Sequence, residues 1–278
     1  MYDEASRLMV DPDFEPLAND QATKPDWFEY WPIRRFFAEA DIDESTLYGF
    51  LSPKFALKTG LSGADVLAFI ESVPQADVVL FSPYPEHVAC FLNVFEQQQL
   101  FDPGFVEVCQ RFFSGMGDEC EVARMVHHAH SAVFSNFFFA KPAFWRTWLA
   151  VCERLVQASE QGELREGLCE GFVYTVASGA SKLVQRKVFV MERIASYLLG
   201  RVHPFRVANY PGGKMVRLPH TLHLGHVLAE MDQLKVALAQ DGDAAILARF
   251  RELQREVLPV VIPGLSMRGS PAQWRVGV

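Results

Sequence analysis

The first residues to weigh for chemistry are the eight histidines, six of which fall into two groups. His127, His128 and His130 form one, and His220, His223 and His226 the other. On a helix, three-residue spacing places the second group across roughly 120° in all, so two members could share a ligand face. Helical zinc sites add a carboxylate base in an H-E-x-x-H run, and none occurs here. Partly exposed or hydrogen-bonded histidines are the simpler expectation. Nucleophilic hydrolysis has less support, since there is no G-x-S-x-G elbow and Ser178-Gly179-Ala180-Ser181 lies between helical patterns without the strand an elbow requires. No G-x-G-x-x-G follows a strand and no P-loop lysine motif is present, which disfavours dinucleotide enzymes and P-loop phosphotransferases. Gly212-Gly213-Lys214, after Tyr210-Pro211, could cradle a phosphate on backbone amides, but an ordinary turn is the expectation.

A third pattern places polar groups at the ends of apolar runs. Leu47-Tyr48-Gly49-Phe50-Leu51 delivers Ser52 and Lys54, Asp77 to Phe81 delivers Ser82 and Tyr84, and Val133 to Ala140 carries Ser135 and Asn136 before Lys141. In an open α/β sheet, ligands bind outside the carboxyl ends of the strands. Hydroxyls, an amide and two ammonium groups brought there would suit a sugar diphosphate. The same Ser-Pro and Lys-Pro pairs would also serve simply to end strands. Asn136 and Lys141 are five residues apart, a spacing that strand alternation sends to opposite faces, and Asn136 is the stronger candidate of the two.

The elements that must position these groups follow from periodicity. Asp26 reads as the cap of a helix over Trp27 to Ala40, with Glu29 at its third position and Pro32 delaying or kinking it. Ser62 starts a helix that stops by Pro74, and Asp77-Val78-Val79-Leu80-Phe81 is the clearest strand. Strand, helix and strand within about 35 residues is the unit of a parallel sheet, so the expected class is α/β. Glu86 to Leu100 and Pro103 to Phe113 read as helices, the second opened by Asp102-Pro103. Pro142 opens a helix through Glu160 with Phe144, Trp145, Trp148, Leu149, Cys152 and Leu155 along one side. Val188 to Leu199, Leu222 to Leu238 and Ala244 to Val257 complete the helical set.

Composition narrows the function classes. The 278 residues are 50% hydrophobic and 22% charged, with a net charge of −8 and no dense Lys/Arg run, which argues against a nucleic-acid partner. No apolar stretch reaches the ~18 residues of a membrane span, and Met1-Tyr2-Asp3-Glu4 lacks the regions of a signal peptide, so a cytoplasmic protein is expected. Five cysteines without a C-x-x-C pair argue against a disulfide framework or a thiolate zinc cage. Cys90, Cys109 and Cys152 fit core positions.

The order of segments resembles bacterial capsular and lipopolysaccharide glycosyltransferases of the GT-A-like group. The segments that carry the likeness are Leu17-Ala18-Asn19-Asp20 with Glu29, Tyr48-Gly49-Phe50-Leu51, Asp77-Val78-Val79-Leu80, Ser135 to Lys141, and Met191-Glu192-Arg193-Ile194. The family's His-Tyr-Arg-Arg motif is replaced by Ser52-Pro53-Lys54-Phe55. No Asp-x-Asp follows the central strand, since Asp41-Ile42-Asp43 and Asp241-Gly242-Asp243 sit in helix-linking loops.

The resemblance implies a mostly parallel GT-A-like sheet flanked by helices, with a nucleotide-sugar-binding catalytic domain over residues 1–200 and a helical extension over 201–278 packed on it. It implies sugar transfer from a nucleotide-sugar donor to a surface glycan acceptor, and it leaves Mn²⁺ or Mg²⁺ dependence and contact with a membrane surface open. In that scheme Glu192 is the base and Lys54 and Lys141 the cations, with Arg193 beside them. Asn19, Asp20, Ser82, Tyr84 and Asn136 contact the donor, and Glu29 is positional. The alternatives are a non-catalytic binding or scaffold protein of the same fold and a His-ligated metalloenzyme.

Overall fold

The computed structural model describes residues 10–19, 24–175, 181–201, 203–267, 269 and 271–276. Its centre is a four-stranded sheet of β1 (Tyr48–Gly49), β2 (Val78–Leu80), β3 (Phe138–Ala140) and β6 (Val207–Asn209), in the order β1-β3-β2-β6. The mostly parallel GT-A-like sheet expected from the sequence is not what forms. β3 lies between β1 and β2 and runs antiparallel to both, and only β2 and β6 pair in parallel. The reason lies in the route of the chain between β2 and β3. Helices α4 (Pro85–Cys90), α5 (Val94–Phe101) and α6 (Phe105–Ser114) and the loop after them bring the chain back to the edge where β2 ended. There Phe81 N–H donates to Phe137 O at 2.9 Å and Phe134 N–H to Ser82 Oγ at 3.0 Å, so β3 must run the other way.

Alternation along the strands assigns their two faces. Val78, Leu80, Phe138 and Ala140 join the main core, formed with α1 (Tyr30–Glu39), α7 (Pro142–Glu160) and α9 (Arg186–Leu199). Val79, Phe81 and Phe137 face a smaller core with Phe55 of α2 (Phe55–Thr59), Val66 of α3 (Gly63–Ser72) and Leu61 between them. A third cluster joins α4 to α10 (Gly225–Asp241) and α11 (Ala244–Val261). The segment after residue 200 therefore supplies a sheet strand as well as a helical pair.

Several elements match their sequence signals. α7 spans the expected residues, and Phe144, Trp145, Trp148, Cys152 and Leu155 are fully buried. α3 is opened by a complete capping box between Ser62 and Asp65. Cys90, Cys109 and Cys152 are buried thiols.

Others differ. The helix expected from Trp27 is a 3-10 turn, Pro25–Trp27, then a break at Phe28 (φ 47°) before α1. Glu29 is thus the residue before the first turn, and its side chain caps nothing. The single helix expected from Glu86 is two, because Asn93 accepts from Phe95 N–H and Glu96 N–H and starts a new one. The strand expected from Val133 shortens to Phe138–Ala140, because Ser135 (φ 60°) and Asn136 (φ 53°) are left-handed and break the extended backbone.

Sequence patterning places no strand before the Ser178 to Ser181 stretch. A hairpin of β4 (Gly171–Thr175) and β5 (Ser181–Gln185) flanks it, with Ser178, Gly179 and Ala180 outside the described residues. After α8 (Arg165–Cys169), the other short elements are β7 (Leu265–Ser266) and β8 (Arg275–Val276).

Candidate functional site

Since β3 opposes its neighbours, the ends of β1, β2 and β6 share one edge with the residues that enter β3. Ser52, Lys54, Ser82, Tyr84, Ser135 and Asn136 belong to that edge, and Lys141 to the opposite one. Three residues with side chains stand in the left-handed region here: Tyr84 (φ 63°), Ser135 and Asn136. Each such conformation costs about 1–2 kcal/mol for a residue other than glycine, and backbone strain of this kind collects at functional sites.

Charged side chains converge beside the strained turns. Lys58 Nζ donates to Ser135 Oγ at 2.8 Å and lies 5.5 Å from the centre of the Phe137 ring. Arg193 is buried on α9, donating to Glu192 at 2.8 Å and to Gln97 and Gln98 at 3.0 and 2.8 Å. Gln97 also contacts the His87 ring nitrogen Nδ1 at 3.4 Å. Burial pushes His87 down to about 4, so its imidazole is neutral at physiological pH. Asn136 donates through Nδ2 to Met191 Sδ at 3.3 Å, and its buried Oδ1 meets no donor among the described residues.

Glu29 stands beside this cluster. Burial, then the like charge of Glu192, pushes its carboxyl up to about 7, against the pull of Lys58. Burial in turn lowers Lys58, with Glu192 and Glu29 opposing the shift. Two acids and two bases thus act on one another in a partly enclosed space, the setting in which proton affinities are tuned for transfer.

Glu29 also lines a cavity of about 390 Å³ at the end of β1. Phe14, Phe36, Tyr48, Phe50 and Phe55 form its aromatic wall. A concave, largely apolar space with a few polar groups is the usual form of a small-molecule site.

Not every residue proposed from the sequence reaches this site. Lys141 donates to Asp77 at 2.9 Å, and Asp77 also accepts from Arg206, so this lysine sits in a strand-end ion network away from the cluster. Lys54 is exposed at the start of α2, one turn before Lys58. Ser82 braces the loop entering β3. Asn19 is buried and donates to Phe28 O at 3.2 Å, holding the break that releases Glu29. Asp20 lies outside the described residues.

Sequence reasoning missed Lys58, His87 and the Gln97-Gln98 pair. Lys58 carried one signal, its position four residues after Lys54 and hence on the same helix face. Nothing local marks His87 or the glutamines, which are recruited by Arg193 from a distant helix.

The other histidines serve elsewhere. His127 is buried, and its Nδ1 accepts from Val94 N–H at 3.3 Å. His220, His223 and His226 are exposed around the start of α10. Among the described residues no group of three His, Cys, Asp or Glu side chains is placed to hold a metal ion. Lys214, in the Gly-Gly-Lys turn, pairs with Asp65 at 2.5 Å.

No family model matches the chain, and neither a curated protein nor a solved structure matches it. The fold defines an α/β protein with a small mixed sheet. No helix among the described residues is long and apolar enough to cross a membrane.

Proposed function

We propose that the protein transfers a sugar from a nucleotide-sugar donor to the hydroxyl of a glycan acceptor, at the edge where β1 and β2 end. One observation carries this reading: Glu29, Glu192, Lys58 and Arg193 act on one another beside an aromatic-walled cavity. The acceptor oxygen attacks the anomeric carbon, and the bond from that carbon to the diphosphate oxygen breaks. The hydroxyl proton passes to Glu192, which Arg193 orients. The nucleoside diphosphate leaves with the bond electrons, its charge offset by Lys58. This assignment keeps Glu192 as the base and gives Lys58 the cationic role that the sequence assigns to Lys54 and Lys141.

The test is thermal stability against nucleoside diphosphates and nucleotide sugars, with and without Mn²⁺, followed by nucleoside diphosphate release. A ligand at 100 times its dissociation constant adds roughly 2.7 kcal/mol, well above detection. Glu192→Gln should lower release by about 10²–10⁴ while leaving the ligand-induced stabilisation in place. Stabilisation by no nucleotide would sink the reading. Binding without turnover would favour a non-catalytic binding protein, and stabilisation by Zn²⁺ alone a metalloprotein.

A further inference from the structure

The cavity and the charged cluster meet at Glu29 but differ in chemistry. Among the described residues no lysine, arginine or histidine lines the cavity, whereas Asp11, Glu15 and Glu29 do. A phosphate placed there would face carboxylates with no cation beside it, and so belongs outside, toward Lys58. The cavity suits a flat ring instead, since five aromatic side chains offer faces and edges for stacking.

The carboxyls narrow the choice of ring. Asp11 is occupied, accepting from Asp13 N–H at 3.0 Å and Gly63 N–H at 2.9 Å. Glu15 is exposed. Glu29 is partly buried and forms no ion pair among the described residues. A carboxylate in such a wall is best satisfied by two N–H donors side by side, which it accepts as a bidentate pair. Among the common nucleobases only guanine offers that on its Watson–Crick edge, through N1–H and the N2 amino group. Adenine, cytosine and uracil each place an acceptor next to their donor, and that acceptor would oppose the carboxylate.

We infer that this cavity takes the guanine ring of a guanosine nucleotide, with Glu29 accepting from N1–H and the N2 amino group; the inference rests on the nucleotide-sugar reading above and makes the donor a guanosine diphosphate sugar. Glu29 is then a specificity residue and Glu192 the base. The bound N–H pair favours the ionised form of Glu29, against burial and the Glu192 charge and together with Lys58.

Calorimetric titration of the full chain at pH 8 with guanosine, guanosine diphosphate, inosine diphosphate, adenosine diphosphate and uridine diphosphate tests this. Inosine lacks the N2 amino group, so guanosine diphosphate should bind about tenfold or more tighter than inosine diphosphate, as a site built around a bidentate pair requires. It should exceed the adenosine and uridine diphosphates by at least as much. Glu29→Gln should bring the guanosine and inosine diphosphates to within about threefold of each other. If that variant fails to fold, the wild-type comparison decides.

Equal or tighter binding of uridine or adenosine diphosphate overturns the inference and leaves sugar transfer standing. A guanosine preference without turnover of any nucleotide sugar upholds the inference and removes the transfer reading. Binding of no nucleoside or nucleotide overturns both.

Discussion

Burial decides what individual ionisable groups do in this protein, and His127 shows the effect most directly. It is 1% exposed, and burial pushes its imidazole down to about 3, with the buried Lys235 ammonium adding to the shift. An unfolded histidine takes up its proton near pH 6.5. Between about pH 6.5 and 3 the unfolded chain therefore binds more protons at this position, and stability falls as pH falls. The stabilising contribution is complete above pH 6.5. Chemical denaturation at stepped pH should show a slope of up to about 1.4 kcal/mol per pH unit from this group, and His127→Asn should flatten the curve across that window. A variant curve as steep as the wild type would refute the assignment. Glu29 has the opposite sign. Its raised carboxyl is protonated in the fold while the unfolded chain has ionised, so its contribution weakens as pH rises from about 4.5 to about 7.

At the scale of elements, the cavity depends on how closely β1 lies against β3. Gly49 pairs with Phe139 across the two strands, and a Cβ at Gly49 would lie 2.4 Å from the Phe139 ring. The ring has the smaller core on its far side, so the strand must move instead. Gly49→Ala should destabilise the protein by about 1–3 kcal/mol in thermal or chemical denaturation and weaken ligand binding in the cavity. Unchanged stability would show that β1 is loosely held. The strained turn before β3 works in the same direction: Phe81 N–H and Ser82 Oγ pin it from β2, while Lys58 holds it from α2.

Across the whole molecule, a buried ion pair ties the helical layers together. Arg186, at the start of α9, donates to both Asp102 oxygens at 2.6 and 2.7 Å and to Glu170 at 2.6 Å, joining α9 to the turn before α6 and to the end of α8. Both Arg186 and Asp102 are nearly inaccessible. Removing Asp102 leaves the buried guanidinium with only the solvent-exposed Glu170 carboxylate, so Asp102→Ala should cost about 3 kcal/mol, the low end for a broken buried pair, measured by denaturant unfolding. A loss below 1 kcal/mol would mean that water reaches Arg186 in the variant. Lys235 makes a comparable tie for the third cluster, donating from α10 to the carbonyls of Val88, Phe91 and His127.

Much of the local structure is legible in the sequence because it is written in neighbours. The apolar side of α7, the capping box of α3 and the run Val78 to Leu80 each rest on residues within two or three turns of one another, and they form where periodicity places them. The α/β class follows from such segments. The direction of β3 does not, since it depends on where the chain re-enters the sheet after three helices, and only packing settles that. The break at Phe28 has no strong local signal either, because Asn19 holds it from nine residues away. That break turns Glu29 from a helix-capping residue into the wall of a cavity. The charged cluster is longer-ranged still: Lys58 and Ser135 are 77 residues apart, and Gln97 and Arg193 are 96 apart. The sequence by itself thus determined the elements and the polar residues at their ends. Tertiary structure decided which of those residues meet, because burial and charge act through space while periodicity acts only along the chain.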